Sequence, residues 1–304
     1  MIDLYLITGF LGAGKTTALK NVLRLLAPKR VQLIINEFGK VGVDGTLLEK
    51  SNAMLREITD GSVFCTCRLD QFVAALSQSV IDQPDAVVVE ASGLSDPTGI
   101  YRLLSETSAF SHAFRYRGSI CLVDAARLPK VFHTVRVCPR QLAVSSLILV
   151  NKTDTATPEQ REEVLALLRE QCPGAHIIET QHGAITAEQL ALLTPLPAEG
   201  DIAHRPDITL QKAAVRISPL ITQQELRYFI TQFAEDTYRV KGILQLQEGI
   251  FLIDCVGPVL QISPCDCTPD DNNTLTALAG PRMPLRISLL EALKWYPGKA
   301  EWMQ

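Results

Sequence analysis

The 304-residue chain has no apolar run approaching the ~20 residues that a bilayer-spanning helix requires; Leu142 to Val150 has the length of a buried strand. It also lacks a basic excess. Its 29 Lys and Arg stand against 33 Asp and Glu, so the formal charge is −4, and nothing electrostatic points to nucleic acid. There is no internal repeat, low-complexity tract or histidine-rich run, and with only 5 His bulk metal storage is excluded. A glycine-rich loop already starts at residue 9, so no removable signal peptide is expected and the location expected is cytoplasmic. In that setting the 8 cysteines point to reduced thiols rather than a disulfide framework. What is present is a 47% hydrophobic composition, enough to bury real cores, over a length that suits about two domains.

The first two thirds alternate short β-rich runs with helical stretches. The runs are Leu4–Ile7, Val31–Ile35, Ala86–Val89, Ile120–Val123, Leu147–Val150 and His176–Ile178. Such alternation predicts an α/β fold, a mostly parallel sheet with helices on both faces. Thr16 to Ala27 reads as a helix stopped by Pro28, and Thr157 caps another from Pro158 to Gln171. Leu69, Phe72, Val73, Leu76 and Val80 recur at helical spacing. A Pro-rich stretch from Thr194 to Pro206 breaks the pattern. The organisation expected is a nucleotide-binding domain over 1–194, a linker over 195–208 and a small α+β domain over 209–304. The last contains strands near Lys212–Ile217, Gly242–Gln247, Ile250–Val256 and Leu275–Leu278, and helices near Gln223–Ala234 and Ile287–Trp295.

Residues 9–17 match the pattern G-x-x-x-x-G-K-[ST] between a strand and a helix, the setting of a P-loop. Gly9, Gly12 and Gly14 let backbone N–H groups turn toward phosphates, with Ala13 and Thr17 completing the cradle. Lys15 can reach the β and γ phosphates, and the Thr16 hydroxyl can ligate Mg²⁺. The strand ending at Val89 delivers Glu90, where a carboxylate supports the metal, and Gly93 follows where an N–H can sense the γ-phosphate. Asn151, Lys152 and Asp154 leave the strand Leu147–Val150. The Asp154 carboxylate can accept from N1–H and the exocyclic amine of guanine, a donor pair that adenine lacks, so the nucleotide expected is GTP. Thr180 starts a loop that can close over the base. Residues 36–44 leave the second strand with glycines, carboxylates and no periodicity, as a nucleotide switch would. Glu37 or Asp44 could then reach the metal or orient water for slow hydrolysis of GTP.

Together these strings, with Thr8–Thr17, Asn36–Gly39, Val89–Pro97 and Asn151–Asp154, resemble the CobW-type metallochaperone GTPases, relatives of the urease and hydrogenase nickel-insertion GTPases. The likeness extends into the second domain at Arg239–Gly242 and Asn273–Gly280. It implies GTP and Mg²⁺ as cofactors, handling of Zn or Co, a client metalloenzyme or corrinoid protein as partner, and room for a nucleotide-dependent homodimer. One segment departs from the family pattern N-G-C-x-C-C-[ST]-x-R. Over Asp60 to Arg68, Ser62 and Phe64 replace two cysteines, Cys65 keeps the third, and Cys67 is an added thiol. Cys65 and Cys67 would need further ligands for a transition metal, with Glu37, His112 and His133 as candidates. Cys265 and Cys267 form a second such pair, and two pairs could in principle make a four-thiolate site. Cys121 and Cys255, inside apolar strands, read as core fillers.

Three functions follow from the sequence. The first is a metallochaperone that couples GTP state to metal delivery. The second is a GTPase chaperone of a corrinoid or other metalloenzyme without a tight metal site of its own. The third is a thiol-redox-responsive GTP-binding interaction module.

Overall fold

A computed structural model of the chain describes residues 1–36, 53–58, 69–197, 211–257, 259–280 and 283–303. Contacts divide the chain into two units, Met1–Pro206 and Asp207–Gln304.

In the first unit the elements run β1 (Ile2–Thr8), α1 (Lys15–Leu26), β2 (Val31–Asn36), β3 (Ala53–Ile58), α2 (Leu69–Asp82), β4 (Ala86–Glu90), α3 (Ile100–Glu106), α4 (Ser108–Ser111), β5 (Phe114–Asp124), α5 (Leu128–Phe132), α6 (Val137–Ala143), β6 (Leu147–Asn151), α7 (Pro158–Gln171), β7 (His176–Glu179) and α8 (Ala187–Ala191). The strands form one sheet in the order β3-β2-β4-β1-β5-β6-β7, parallel throughout. Parallel strands need crossovers, and helices on both faces provide them. Tyr5 and Ile7 pack with Leu19, Val22 and Leu23 of α1 on one face. Leu4 and Leu6 pack with Phe72 and Leu76 of α2 and Leu103 of α3 on the other. Burial on both faces explains why the inner strands are continuous apolar runs. The parallel arrangement also sends every strand end to one edge of the sheet, where the loops after β1, β4, β6 and β7 gather.

The second unit is built from β8 (Gln211–Ile217), α9 (Gln223–Thr231), β9 (Arg239–Leu246), β10 (Gly249–Val256), β11 (Val259–Pro264), β12 (Thr274–Ala279), α10 (Leu285–Leu293) and β13 (Ala300–Met303). Its sheet, β11-β10-β9-β12-β8-β13, is antiparallel throughout. Alternate residues such as Val240, Leu244, Ile253 and Leu275 face Leu226, Phe229, Leu285 and Leu289 of the two helices. Asn273, with φ +51°, fastens three strands: its side-chain amide donates to Ile217 O and Gln245 O, and its Oδ1 accepts from Gln245 N.

The start of α9 is a reciprocal cap. Thr222 Oγ1 accepts from Glu225 N while the Glu225 carboxylate accepts from Thr222 N, and Lys299 Nζ lies 2.5 Å from Glu225 Oε1. The Lys299 hydrogen bond, followed by the Thr222 N–H, holds the Glu225 carboxyl down to about 2. A depressed carboxylate adds stability that is present above its unfolded value, about 4.3, and is lost as pH falls through that value toward about 2. Glu225→Gln should therefore melt below the parent at neutral pH, and the gap should close as the medium is acidified across that window. Thermal melts of both proteins over the pH series check this; a gap independent of pH contradicts it.

Candidate functional site

β1 ends at Thr8, and residues 9–14 wrap round to the first turn of α1, so the loop lies at the N-terminal, positive end of that helix. Lys15 is buried, and its Nζ donates to Phe10 O at 3.1 Å, which lays the ammonium back across the loop. Thr16 Oγ1 donates to Glu90 Oε1 at 2.9 Å. A hydroxyl and a carboxylate brought together beside a glycine loop are hard oxygen donors of the kind Mg²⁺ takes with substrate phosphates, so these residues fit the metal-nucleotide pair. The segment after Glu90 is held from below. Gln141 of α6 donates from Nε2 to Gly93 O and Ser95 O, and Arg140 pairs with Asp96.

Asn151, at the end of β6 and almost fully buried, joins this loop to the neighbouring ones. Its Nδ2 donates to Ala13 O at 2.8 Å and its Oδ1 accepts from Gly183 N at 2.9 Å. The approach is so close that a Cβ on Gly14, where φ is +101°, would lie 2.3 Å from Asn151 Nδ2. Gly183, with φ +60°, is pressed against α1 in the same way: a Cβ there would lie 2.8 Å from Ala18 N. Asn21 of α1 donates to the carbonyls of both His182 and Gly183. The loop after β7 is tied to the one after β6 as well, because Thr153 Oγ1 donates to Thr180 O at 3.0 Å. Thr180 is buried, and its hydroxyl donates to Ala184 O within its own loop.

Lys152 adopts φ +62°, a conformation that side chains other than glycine seldom hold, and its Nζ lies 3.0 Å from Asp124 Oδ2. Asp124 ends β5 in register with Asn151. Asp154, two residues further along the chain, is exposed. The arrangement offers a phosphate cradle, a metal-binding oxygen pair and a solvent-facing carboxylate on loops already fastened to one another.

The structure thus brings together Gly9, Gly12, Ala13, Gly14, Lys15, Thr16, Thr17, Glu90, Gly93, Asn151, Lys152, Asp154 and Thr180 at one edge of the sheet. Glu37, Asp44, Cys65 and Cys67 lie outside the described residues. His112 does not join the described residues of this edge. It lies with Met1, Asp3, Lys29 and Asp85 around a cavity at the opposite edge, where the strands begin, because β5 starts directly after it. His133 stands edge-on to Phe132, with ring centroids 5.0 Å apart. Among the described residues no three His, Cys, Asp or Glu side chains come together as a metal group.

The expectation of reduced thiols needs one correction. Cys265 and Cys267 are joined by a disulfide, so these two sulfurs are not available as thiolates for a four-thiolate site. Cys121 and Cys255 are buried in their strands, as core fillers should be. Burial raises the Cys121 thiol far above its ordinary value and pushes Cys138 up to about 12. The sequence alone does not single out Asp124, Asn21, Gln141 or Gly183; only the register of Asp124 against Asn151 points to the first.

Removing the Asn151 carboxamide leaves Ala13 O and Gly183 N without their partner. Orphaned buried groups cost about 1–3 kcal/mol, equivalent to roughly fivefold or more in affinity if the cost falls on the nucleotide-competent state. Asn151→Ala should weaken GDP binding by at least that factor. Asn21→Ala, which loosens only residues 182 and 183, should weaken it less. Fluorescence titration with a labelled GDP measures both, and unchanged affinity in Asn151→Ala contradicts the assignment.

Residues 3–179 match the family model described as the CobW/HypB/UreG nucleotide-binding domain. The chain is 30% identical over 302 residues to the zinc chaperone YeiR of Escherichia coli (strain K12), an alignment covering 88% of this chain and 90% of that protein. It is 30% identical to the zinc chaperone YjiA of the same organism, over 60% of this chain and 59% of that one. It is 32% identical to the zinc chaperone CobW of a Sinorhizobium species, over 66% and 64% respectively. A family match across more than half the chain, and a relative aligned along nearly all of it, agree with the loop geometry. The chain belongs to the CobW-type family of P-loop GTPase metallochaperones.

Proposed function

We propose that this protein is a GTP-hydrolysing zinc chaperone, in which the nucleotide state sets how tightly zinc is held for transfer to a client metalloprotein. The observation that carries the reading is the Thr16–Glu90 hydrogen bond, which joins the P-loop to the strand end that follows the Cys65–Cys67 segment in sequence. Nucleotide and metal elements therefore flank one another along the chain. The full-length likeness to a protein named a zinc chaperone supports zinc over cobalt.

In this reading Lys15 neutralises the β and γ phosphates, while Thr16 and Glu90 serve the Mg²⁺ that accompanies GTP. The Gly93 N–H faces the γ-phosphate, and Asp154 reads guanine. Asp44 orients the attacking water, and Cys65 and Cys67 hold zinc, with Glu37 as a further ligand. Hydrolysis without a partner is slow in this reading, since among the described residues the charge neutralisation assigned to the phosphates rests on Lys15 and the metal. The replacement of two family cysteines by Ser62 and Phe64 favours a second reading, a GTPase that gates client loading without a tight metal site.

Competition titration of Zn²⁺ separates the two. The zinc-chaperone reading expects an affinity at least about tenfold different, ~1.4 kcal/mol, between the GTP-analogue and GDP forms, and loss of that difference in Cys65→Ser and in Cys67→Ser. Equal affinity in both nucleotide states overturns it. Turnover gives an independent check: Lys15→Ala should abolish GTP hydrolysis, and Asp154→Asn should relax the preference for guanine over adenine. Retained selectivity in Asp154→Asn contradicts the role given to that carboxylate.

A further inference from the structure

The second unit carries a thiol pair that the GTPase site does not use. Cys265 and Cys267 follow β11, are each half-buried, and form a disulfide with Cα atoms 5.3 Å apart. Only Asp266 separates them, so the bond closes a minimal loop and removes very little freedom from the unfolded chain. Stabilisation of the fold is therefore a weak reason for the bond to exist. The strand order supplies the stability instead: Cys265 N donates to Ile250 O in continuation of the β10–β11 ladder, and Asn273 fastens the far end of the loop.

The surroundings differ from those of the other described thiols. Cys121, Cys138 and Cys255 are buried among apolar side chains, and burial also raises the Cys172 thiol, so each is suppressed as a nucleophile. At the pair, the Cys267 N–H donates to Cys265 Sγ at 3.1 Å. A backbone donor aimed at that sulfur stabilises negative charge on it during exchange, which marks Cys265 as the sulfur that attacks first. The ladder fixes Cys265, while Cys267 sits beyond the strand end, in the loop that leads to β12.

We propose that Cys265 and Cys267 form a thiol–disulfide exchange site whose reaction partner is a small disulfide of the glutathione class. In the oxidising direction the Cys265 thiolate attacks the small disulfide, whose S–S bond breaks and releases one small thiol. The Cys267 thiolate then attacks Cys265 Sγ, forming the Cys265–Cys267 bond and expelling the second small thiol. The two thiol protons of the protein end on the two small thiols, and two electrons pass to the small disulfide. Reduction runs the same steps in reverse. This site stands apart from the zinc-chaperone reading and holds or fails without it.

The test equilibrates the full-length protein in buffers of graded oxidised and reduced glutathione, quenches with acid, alkylates, and weighs the peptide containing residues 265 and 267. The disulfide-to-dithiol ratio should rise about tenfold for each tenfold rise in oxidised glutathione over the square of reduced glutathione. Cys267→Ser should stop at a glutathione adduct on Cys265. The titration should be unchanged when Cys65 and Cys67 are both replaced by serine. A peptide that stays a dithiol in every buffer, stays a disulfide in the most reducing one, or pairs with another cysteine overturns the proposal.

Discussion

The nucleotide edge of the sheet depends on one buried carboxamide. Asn151 uses its donor on Ala13 O and its acceptor on Gly183 N, so the loops after β1, β6 and β7 meet at this one side chain. Its position follows from β6, whose apolar residues are buried on both sides and set the strand in the interior of the sheet. No other residue of similar size offers both polarities at that place: aspartate would lack the donor and leucine would leave both backbone groups unsatisfied. The glycines at 14 and 183 are the geometric counterpart, since a Cβ at either would strike Asn151 or α1. Loops fastened in this way need little reordering when a nucleotide arrives, and less reordering leaves more of the contact energy as affinity.

The phosphate loop is legible in the sequence because its chemistry lies within nine consecutive residues and its strand is a pure apolar run. The strands with little sequence signal, β3 and β13, are both sheet edges. An edge strand is paired on one side only and carries polar residues, as Arg56 in β3 and Glu301 in β13 show, so the apolar signal is diluted. The contacts of Asn21 and Gln141 are long-range in the chain, 161 and 48 residues from His182 and Gly93. No local pattern encodes such partners. The place of His112 is not legible for a related reason: the parallel sheet sets it beside the first residues of β1, away from the described loops after β1, β4, β6 and β7.

The thiols divide by environment rather than by spacing. Cys121 and Cys138 are made inert by the core that surrounds them, and their shifted titration is a consequence of packing. Cys265 and Cys267 follow the end of a strand, where the ladder still orders the backbone and both residues are half-buried. The family pattern draws attention to Cys65 and Cys67, and the same two-residue spacing recurs in the second unit, where Cys265 and Cys267 are joined.

Coupling between a nucleotide site and a zinc site is the central claim, and such coupling is reciprocal: whatever factor GTP imposes on zinc affinity, zinc must impose on GTP affinity. The most direct measurement is the affinity for a non-hydrolysable GTP analogue and for GDP, each with and without saturating Zn²⁺. Zinc should shift the ratio of the two affinities by about tenfold or more, and Cys65→Ser should remove the shift. A ratio that zinc leaves unchanged would contradict the coupling.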